Sequence, residues 1–186
     1  VAGCRMLRSR QTSEENIAAA RQLSLQGIDA QQRGQWERAE MLFASATEKG
    51  PGDERAHSGY AEALWRRGDW KGGLRNMEDA VRLSGNDPER LVRLSSMYFS
   101  HGDAGRALAL AERAIDSNGQ LATAWALRGH ALLAAGDLDD ALASFHRAIG
   151  LDPALADAQL AVADIYQRQN RPQRALATLQ TLADRF

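Results

Sequence analysis

The chain has 186 residues, a formal net charge of −1 and one cysteine, Cys4. A single cysteine excludes an internal disulfide and a cysteine-based zinc site. No stretch of about 18 apolar residues is present, so the sequence contains no candidate transmembrane helix. The near-neutral charge without a basic stripe argues against a nucleic-acid groove.

The first eleven residues read as a flexible basic leader, because Arg5, Arg8 and Arg10 occur without an apolar helical period. The sequence Val-Ala-Gly-Cys at the start resembles the lipobox of bacterial lipoproteins, although the charged and apolar parts of a signal peptide are absent. In that family the cysteine becomes the lipidated N-terminus. The resemblance implies lipidation of Cys4, and an unmodified thiol is the alternative.

A single domain is expected to occupy residues 12–186. Thr12 and Glu15 have the spacing of a capping box, which predicts a helix from about Ser13 to Arg33. Its first turns would cover the first repeat as an N-terminal cap.

A 34-residue frame then fits the chain five times without insertion. The copies start at Ala20, Glu54, Pro88, Ala122 and Ala156. Position 8 is small in every copy, and position 20 is Ala or Gly. Position 15 holds a residue that tolerates the left-handed conformation in which a first helix can end. These residues are Gly34, Gly68, Gly102, Gly136 and Asn170.

The frame resembles the tetratricopeptide repeat. Residues 122–155 carry the likeness best, with Trp125 at position 4, Gly129 at position 8 and Phe145 at position 24. The third copy departs from it, because Ala111 stands where a large residue is expected. The resemblance implies an all-α solenoid, a right-handed superhelix of antiparallel helix pairs in which each repeat packs on its neighbours.

No catalytic, cofactor or metal site is predicted. The four histidines form no i, i+4 pair, and phosphate-binding and nucleophile-elbow motifs are absent. Asp137, Asp139 and Asp140 fall at the turn and second-helix start of a repeat, where acids favour the helix dipole. We therefore expect a protein that is not an enzyme and takes no cofactor or small-molecule substrate.

The resemblance implies that positions 2, 5, 9, 12 and 13 of the first helices line a concave groove that binds a protein or peptide. Trp65, Phe99, Leu133 and Val92 would form an apolar strip within it. The alternative is that position 12 is buried between neighbouring helices. The predicted groove residues are Arg21, Ile28, Arg55, Glu62, Trp65, Arg66, Val92, Phe99, Ala126, His130, Leu133, Leu160 and Asp164.

Charge varies along this predicted groove. Arg21, Arg55 and Arg66 would make its early end basic, and Asp157 and Asp164 its late end acidic. The alternative is that these side chains pair with neighbouring helices and present no field. The Lys and Asn pattern with which one subclass of the family clamps a C-terminal carboxylate is absent.

Two functions fit the sequence. In the first, the chain is a non-catalytic scaffold that binds a partner peptide or helix. In its lipidated form it would be an assembly factor at a bacterial envelope membrane, facing the periplasm, and otherwise it would be cytoplasmic. In the second, it is the substrate-recognition or regulatory arm of a larger enzyme. The excess of arginine over lysine, 21 to 2, is typical of a GC-rich bacterial genome. Apolar surface around Leu179 and Leu182 at the last repeat is a further candidate interface.

Overall fold

The computed structural model describes the backbone of residues 2–184 and the side chains of residues 13–184. Between residues 2 and 184 the chain forms helices and connecting turns, with no strand. The helices are α1 (Ala2–Gln32), α2 (Trp36–Lys49), α3 (Glu54–Arg67), α4 (Trp70–Leu83), α5 (Pro88–Ser100), α6 (Ala104–Ser117), α7 (Ala122–Ala135), α8 (Leu138–Leu151), α9 (Ala156–Arg168) and α10 (Pro172–Ala183). The predicted all-α class is confirmed. The chain divides into two compact units, Val1–Asn86 and Asp87–Phe186.

The helices follow the 34-residue frame closely. The first helices of repeats two to five begin at the predicted frame starts, Glu54, Pro88, Ala122 and Ala156. The second helices all begin at position 17 of their repeats, from Trp36 in the first to Pro172 in the fifth. Each first helix pairs mainly with the second helix of its own repeat. The prediction that all five repeats form one continuous domain stays a prediction.

The turns inside the repeats also follow the sequence signal. The five residues at position 15 all adopt a positive φ, from 57° at Asn170 to 91° at Gly68. At several helix starts an aspartate accepts backbone hydrogen bonds. Asp53 accepts from the amides of Arg55 and Ala56, and Asp87 from that of Arg90. Such caps satisfy amides that the helix itself leaves unpaired.

The predicted start of the first helix was wrong. Helix α1 begins at Ala2 and not near Ser13, so that the Thr12–Glu15 motif lies inside a continuous helix. Residues 2–11 contain three arginines, a methionine, a leucine and a glutamine, which have high helix propensity, and no proline, while the one glycine lies near the helix start. An apolar period is not needed for a helix to continue outward from an anchored segment. Whether this stretch acts as a separate leader remains untested.

Side chains at position 4 tie three of the repeats to the loop before them. The Trp125 indole Nε1 donates to the carbonyl of Gly119 at 3.0 Å, and the Gln159 amide donates to that of Pro153 at 2.9 Å. His57 Nε2 lies 3.2 Å from the carbonyl oxygen of Pro51. In each case the partner is six residues earlier, so the departures from an aromatic residue at position 4 preserve one polar contact.

Position 8 and position 24 fit each other within a repeat. A Cβ added at Gly129 would lie 2.8 Å from the nearest ring atom of Phe145, and one added at Gly27 would lie 2.7 Å from Phe43. Both rings are fully buried. In the third repeat, where position 24 is only Ala111, position 8 is Ser95. Its buried hydroxyl donates to the carbonyl of Ala107 at 2.7 Å.

The acidic cluster at the fourth repeat's turn lies at the start of α8, and the Asp137 side chain accepts no capping hydrogen bond there. Asp137 is the N-cap residue of α8, and Asp139 and Asp140 lie in its first turn. Asp139 also accepts a hydrogen bond from the Gln169 amide at 3.0 Å. Among the side chains of residues 13–184, no group of three or more metal-ligating residues is close enough to hold an ion.

Candidate functional site

In the first unit, residues at the predicted groove positions of repeats one and two contact each other. The Gln31 amide, at position 12 of the first repeat, donates to the Glu62 carboxylate, at position 9 of the second, at 2.5 Å. Both side chains are half-buried. Ile28, at position 9 of the first repeat, packs against the small core around Phe43. Positions 9 and 12 of these two repeats therefore lie on one surface. Some of the side chains at these positions also pack against the core.

The second unit repeats this arrangement with different chemistry. The Phe99 ring, at position 12 of the third repeat, lies 5.7 Å from the His130 ring, at position 9 of the fourth. His130 also packs edge-on against Phe145 at 4.8 Å. His130 Nε2 lies 2.7 Å from Asp157 Oδ2, at position 2 of the fifth repeat. Side chains from the first helices of repeats three, four and five thus contact one another on one face of this unit.

The residues of the predicted apolar strip are half-buried and not fully exposed. Trp65, Val92, Phe99 and Leu133 all have intermediate exposure. Leu133 and Ala126 pack against the buried core of the second unit. The alternative reading, partial burial of position 12 between helices, therefore describes Leu133. Among the predicted groove positions, one large apolar side chain is nevertheless well exposed. This is Leu160, at position 5 of the fifth repeat, which is 50% exposed.

Most of the predicted groove charges have partners. The Arg66 guanidinium stacks over the Trp36 ring at 4.0 Å from its centroid. Asp164 pairs with Arg168 at 2.9 Å, on the same helix. Arg55 Nε lies 3.9 Å from Glu54 Oε1. Arg21 is exposed and makes no hydrogen bond or ion pair with any residue between 13 and 184. The contribution of these charges to a basic and an acidic end remains a prediction.

A cleft of about 1010 Å³ opens in the first unit, beside α1, the α2–α3 turn and the first residues of α3. Arg21 and Arg55, predicted as groove residues, both line it. Two apolar side chains there, Ile17 and Leu25, were not predicted as site residues and are 45% and 60% exposed. Their spacing of four residues on either side of Arg21 was the available signal, since it places all three on one face of a helix.

The predicted lipidation residue lies outside the side chains that the structure describes. Cys4 belongs to helix α1 by its backbone, and its modification remains a prediction. Within the described part of the chain, no helix is long and apolar enough to span a bilayer.

Profiles of known families match nearly all of the chain. One profile, described as the tetratricopeptide repeat, matches residues 24–88, 61–122 and 92–156. A second profile with the same description matches residues 132–186. No curated protein matches the sequence.

Solved structures agree with the fold. MamA from Desulfovibrio magneticus RS-1 is 17% identical, covers 89% of this chain and 94% of its own, and has a TM-score of 0.81. PilF of Pseudomonas aeruginosa is 16% identical with a TM-score of 0.80, covering 91% of this chain and 78% of its own. YrrB, described as a protein with an unusual peptide-binding site, is 23% identical with a TM-score of 0.75, covering 94% and 90%.

The profiles extend from residue 24 to residue 186, the helices keep one 34-residue frame, and the structural relatives share the architecture. Members of this fold generally act as non-catalytic modules for protein interaction. The chain belongs to the tetratricopeptide repeat family.

Proposed function

We propose that this protein is a non-catalytic scaffold that binds a partner peptide or helix on the faces formed by its first helices. The observation that carries the proposal is the ladder of Phe99, His130 and Asp157, because it brings aromatic, imidazole and carboxylate groups from three repeats onto one face. Half-buried aromatic groups beside polar ones are common at sites that recognise proteins.

A structural relative supports the same kind of ligand. YrrB has the same fold and is described as having a peptide-binding site. An amphipathic partner would lay its apolar side chains on such a face and use its polar groups for orientation. Leu160, half exposed on α9, gives this surface an apolar contact that the fold of its own repeat leaves open to solvent.

The fifth repeat offers a matched test of this proposal. Leu160 on the first helix and Leu176 on the second helix are both well exposed, at 50% and 57%. Peptides selected from a displayed random library against the full chain are expected to bind Leu160→Ser and Trp65→Ala more weakly, by about tenfold or more. Leu176→Ser is expected to bind like the parent. Equal binding by all three variants would contradict the proposal.

We further propose that the scaffold is held at a bacterial envelope membrane by lipid on Cys4. The lipobox-like start supports this, and so do Arg5, Arg8 and Arg10, because one acyl-bearing anchor and nearby basic residues bind anionic membranes together. At such a surface the scaffold would serve as an assembly factor. Mass spectrometry of the native protein is expected to find diacylglycerol on Cys4, and Cys4→Ser is expected to leave the membrane fraction. An unmodified cysteine with further residues before it would contradict the tether.

A further inference from the structure

The cleft beside α1 has features that the repeat pattern does not explain. It is lined partly by Ser13, Asn16 and Ile17, which precede the first repeat at Ala20. Helix α1 begins at Ala2, whereas its counterpart α3 begins at Glu54, the equivalent of Ala20. The extra turns of α1 therefore extend past the start of α3, and the α2–α3 turn closes the other side of the cleft.

One face of α1 runs along this cleft as an alternation of apolar and basic groups. Ile17, Arg21 and Leu25 follow each other at intervals of four residues, about 6 Å apart along the helix axis. The two apolar side chains are among the large hydrophobic groups that the fold leaves exposed. A ligand lying along α1 would meet an apolar contact, then a cation, then a second apolar contact.

The acidic side chains of the cleft contact other polar groups of the protein, whereas two of its basic side chains make no such contact with the described residues. Arg21 and Lys49 make no hydrogen bond or ion pair with the described residues. The acid Asp53, in contrast, accepts from two amides at the start of α3 and from the Ser24 hydroxyl at 2.7 Å. Glu54 lies beside Arg55 at 3.9 Å. The lining holds three basic side chains, Arg21, Lys49 and Arg55, and two acidic ones, so the cleft presents a small net positive charge to a ligand.

We propose that this cleft is a docking site for an acidic amphipathic segment of a partner protein. The segment places apolar side chains on Ile17 and Leu25 and a carboxylate between Arg21 and Lys49. A concave site walled by a polar turn fits an inserted chain better than the flat surface of a bilayer. This inference deepens the proposed scaffold function, on which it rests, by naming one region of the binding surface and the chemistry of its ligand.

Two double variants test the site without disturbing the core. Ile17→Ser with Leu25→Ser removes the apolar contacts, and Arg21→Glu with Lys49→Glu reverses the charge of the two exposed side chains proposed to hold the carboxylate. The control is Met41→Ser with Arg38→Glu, which makes one change of each kind at exposed positions on α2, outside the cleft. Ser24 and Asp53 are kept, since their hydrogen bond joins α1 to the start of α3. Circular dichroism melting checks that each variant is folded.

The probes are a displayed library of random 12-residue peptides and vesicles of phosphatidylcholine with phosphatidylserine, each offered to the full chain without lipid on Cys4. The expected result is a set of selected peptides rich in Asp or Glu and in Leu, Ile or Phe. Both cleft variants are expected to weaken these peptides by about tenfold or more, and the control by less than about twofold.

The alternative outcomes separate the two proposals. A selection in which every peptide depends on Leu160 or Trp65 and none depends on the cleft would overturn this inference and leave the scaffold function standing. Cleft-dependent peptides that are neutral or basic would overturn it as well. Vesicle binding that requires the cleft, without any cleft-dependent peptide, would assign the cleft to a membrane surface instead. A library that yields no specific peptide would contradict both proposals.

Discussion

Replacing Gly129 by alanine tests how tightly position 8 packs against position 24. An alanine inside a helix is about 1 kcal/mol more favourable than glycine when nothing obstructs it. At Gly129, however, the new Cβ would lie 2.8–2.9 Å from three atoms of the Phe145 ring. Carbon atoms attract best at about 3.5–4.0 Å, so the ring would have to retreat by more than about 0.5 Å.

The ring has little room to retreat. Phe145 is fully buried, packs edge-on against His130 at 4.8 Å and belongs to the core of the second unit. Overpacking of such cores costs about 1–3 kcal/mol. Because most of this range exceeds the gain of about 1 kcal/mol in helix propensity, Gly129→Ala is expected to lower the free energy of unfolding by up to about 2 kcal/mol. Urea denaturation followed by circular dichroism at 222 nm measures the change.

Two further variants make the test specific. Gly150→Ala on α8 is the control, because a Cβ there has no neighbour within 4 Å. It is expected to leave stability unchanged or raise it by up to about 1 kcal/mol. Phe145→Leu shortens the obstructing side chain, and on that background Gly129→Ala is expected to lose most of its cost, as a positive coupling between neighbours. If Gly129→Ala stabilises the chain as Gly150→Ala does, the close-packing explanation is refuted.

Four other variants test two single contacts and two left-handed turn residues, and the same denaturation assay checks them. Trp125→Phe removes the indole donor to Gly119 and is expected to cost about 1 kcal/mol, whereas an unchanged midpoint would show that the bond contributes nothing. Ser95→Ala removes the buried hydroxyl that donates to Ala107 and is expected to cost about 1 kcal/mol. Gly136→Ala places a side chain at a φ of 89° and is expected to cost about 1–2 kcal/mol. Asn170→Gly, at 57°, is expected to be neutral or slightly stabilising, and a large loss there would contradict the assignment of a left-handed turn.

The helix boundaries were predictable where a residue's backbone preference decides them. A glycine or asparagine at position 15 takes the left-handed conformation that ends a first helix, and Asp53 and Asp87 cap the helices that follow them. These signals are local, so they can be read without knowing the neighbours. The start of α1 lacks such a signal: residues 2–11 contain several good helix formers and no proline, and the structure continues the helix through them.

The size relation between positions 8 and 24 was visible in the sequence but needed the structure to be explained. Gly27 and Gly129 stand in the two repeats that have Phe at position 24. The other three repeats combine Ala or Ser at position 8 with a side chain smaller than Phe. The contacts of Phe43 and Phe145 give the physical reason, because each ring occupies the space of the missing methyl group.

The interactions of the charged groove residues were not predictable, because long side chains contact partners on other helices. Arg66 was expected to face a ligand, yet its guanidinium lies on Trp36 of the preceding repeat. His130 and Asp157 are 27 residues apart in sequence and meet at 2.7 Å. No local pattern indicates either pair, since both depend on how successive repeats pack.

These pairings change where specificity is to be sought. A charge already engaged with a neighbouring helix contributes less to the field felt by a ligand, and any binding that breaks the pair must first offset its loss. Arg21 carries no such pair with the described residues, and it lies between two exposed apolar side chains. Phe99 and His130, in contrast, are held by ring contacts and form a more rigid surface. Rigid aromatic faces favour affinity, because little side-chain freedom is lost on binding. Unpaired cations at a cleft instead select for an acidic ligand and give a fast, salt-sensitive association.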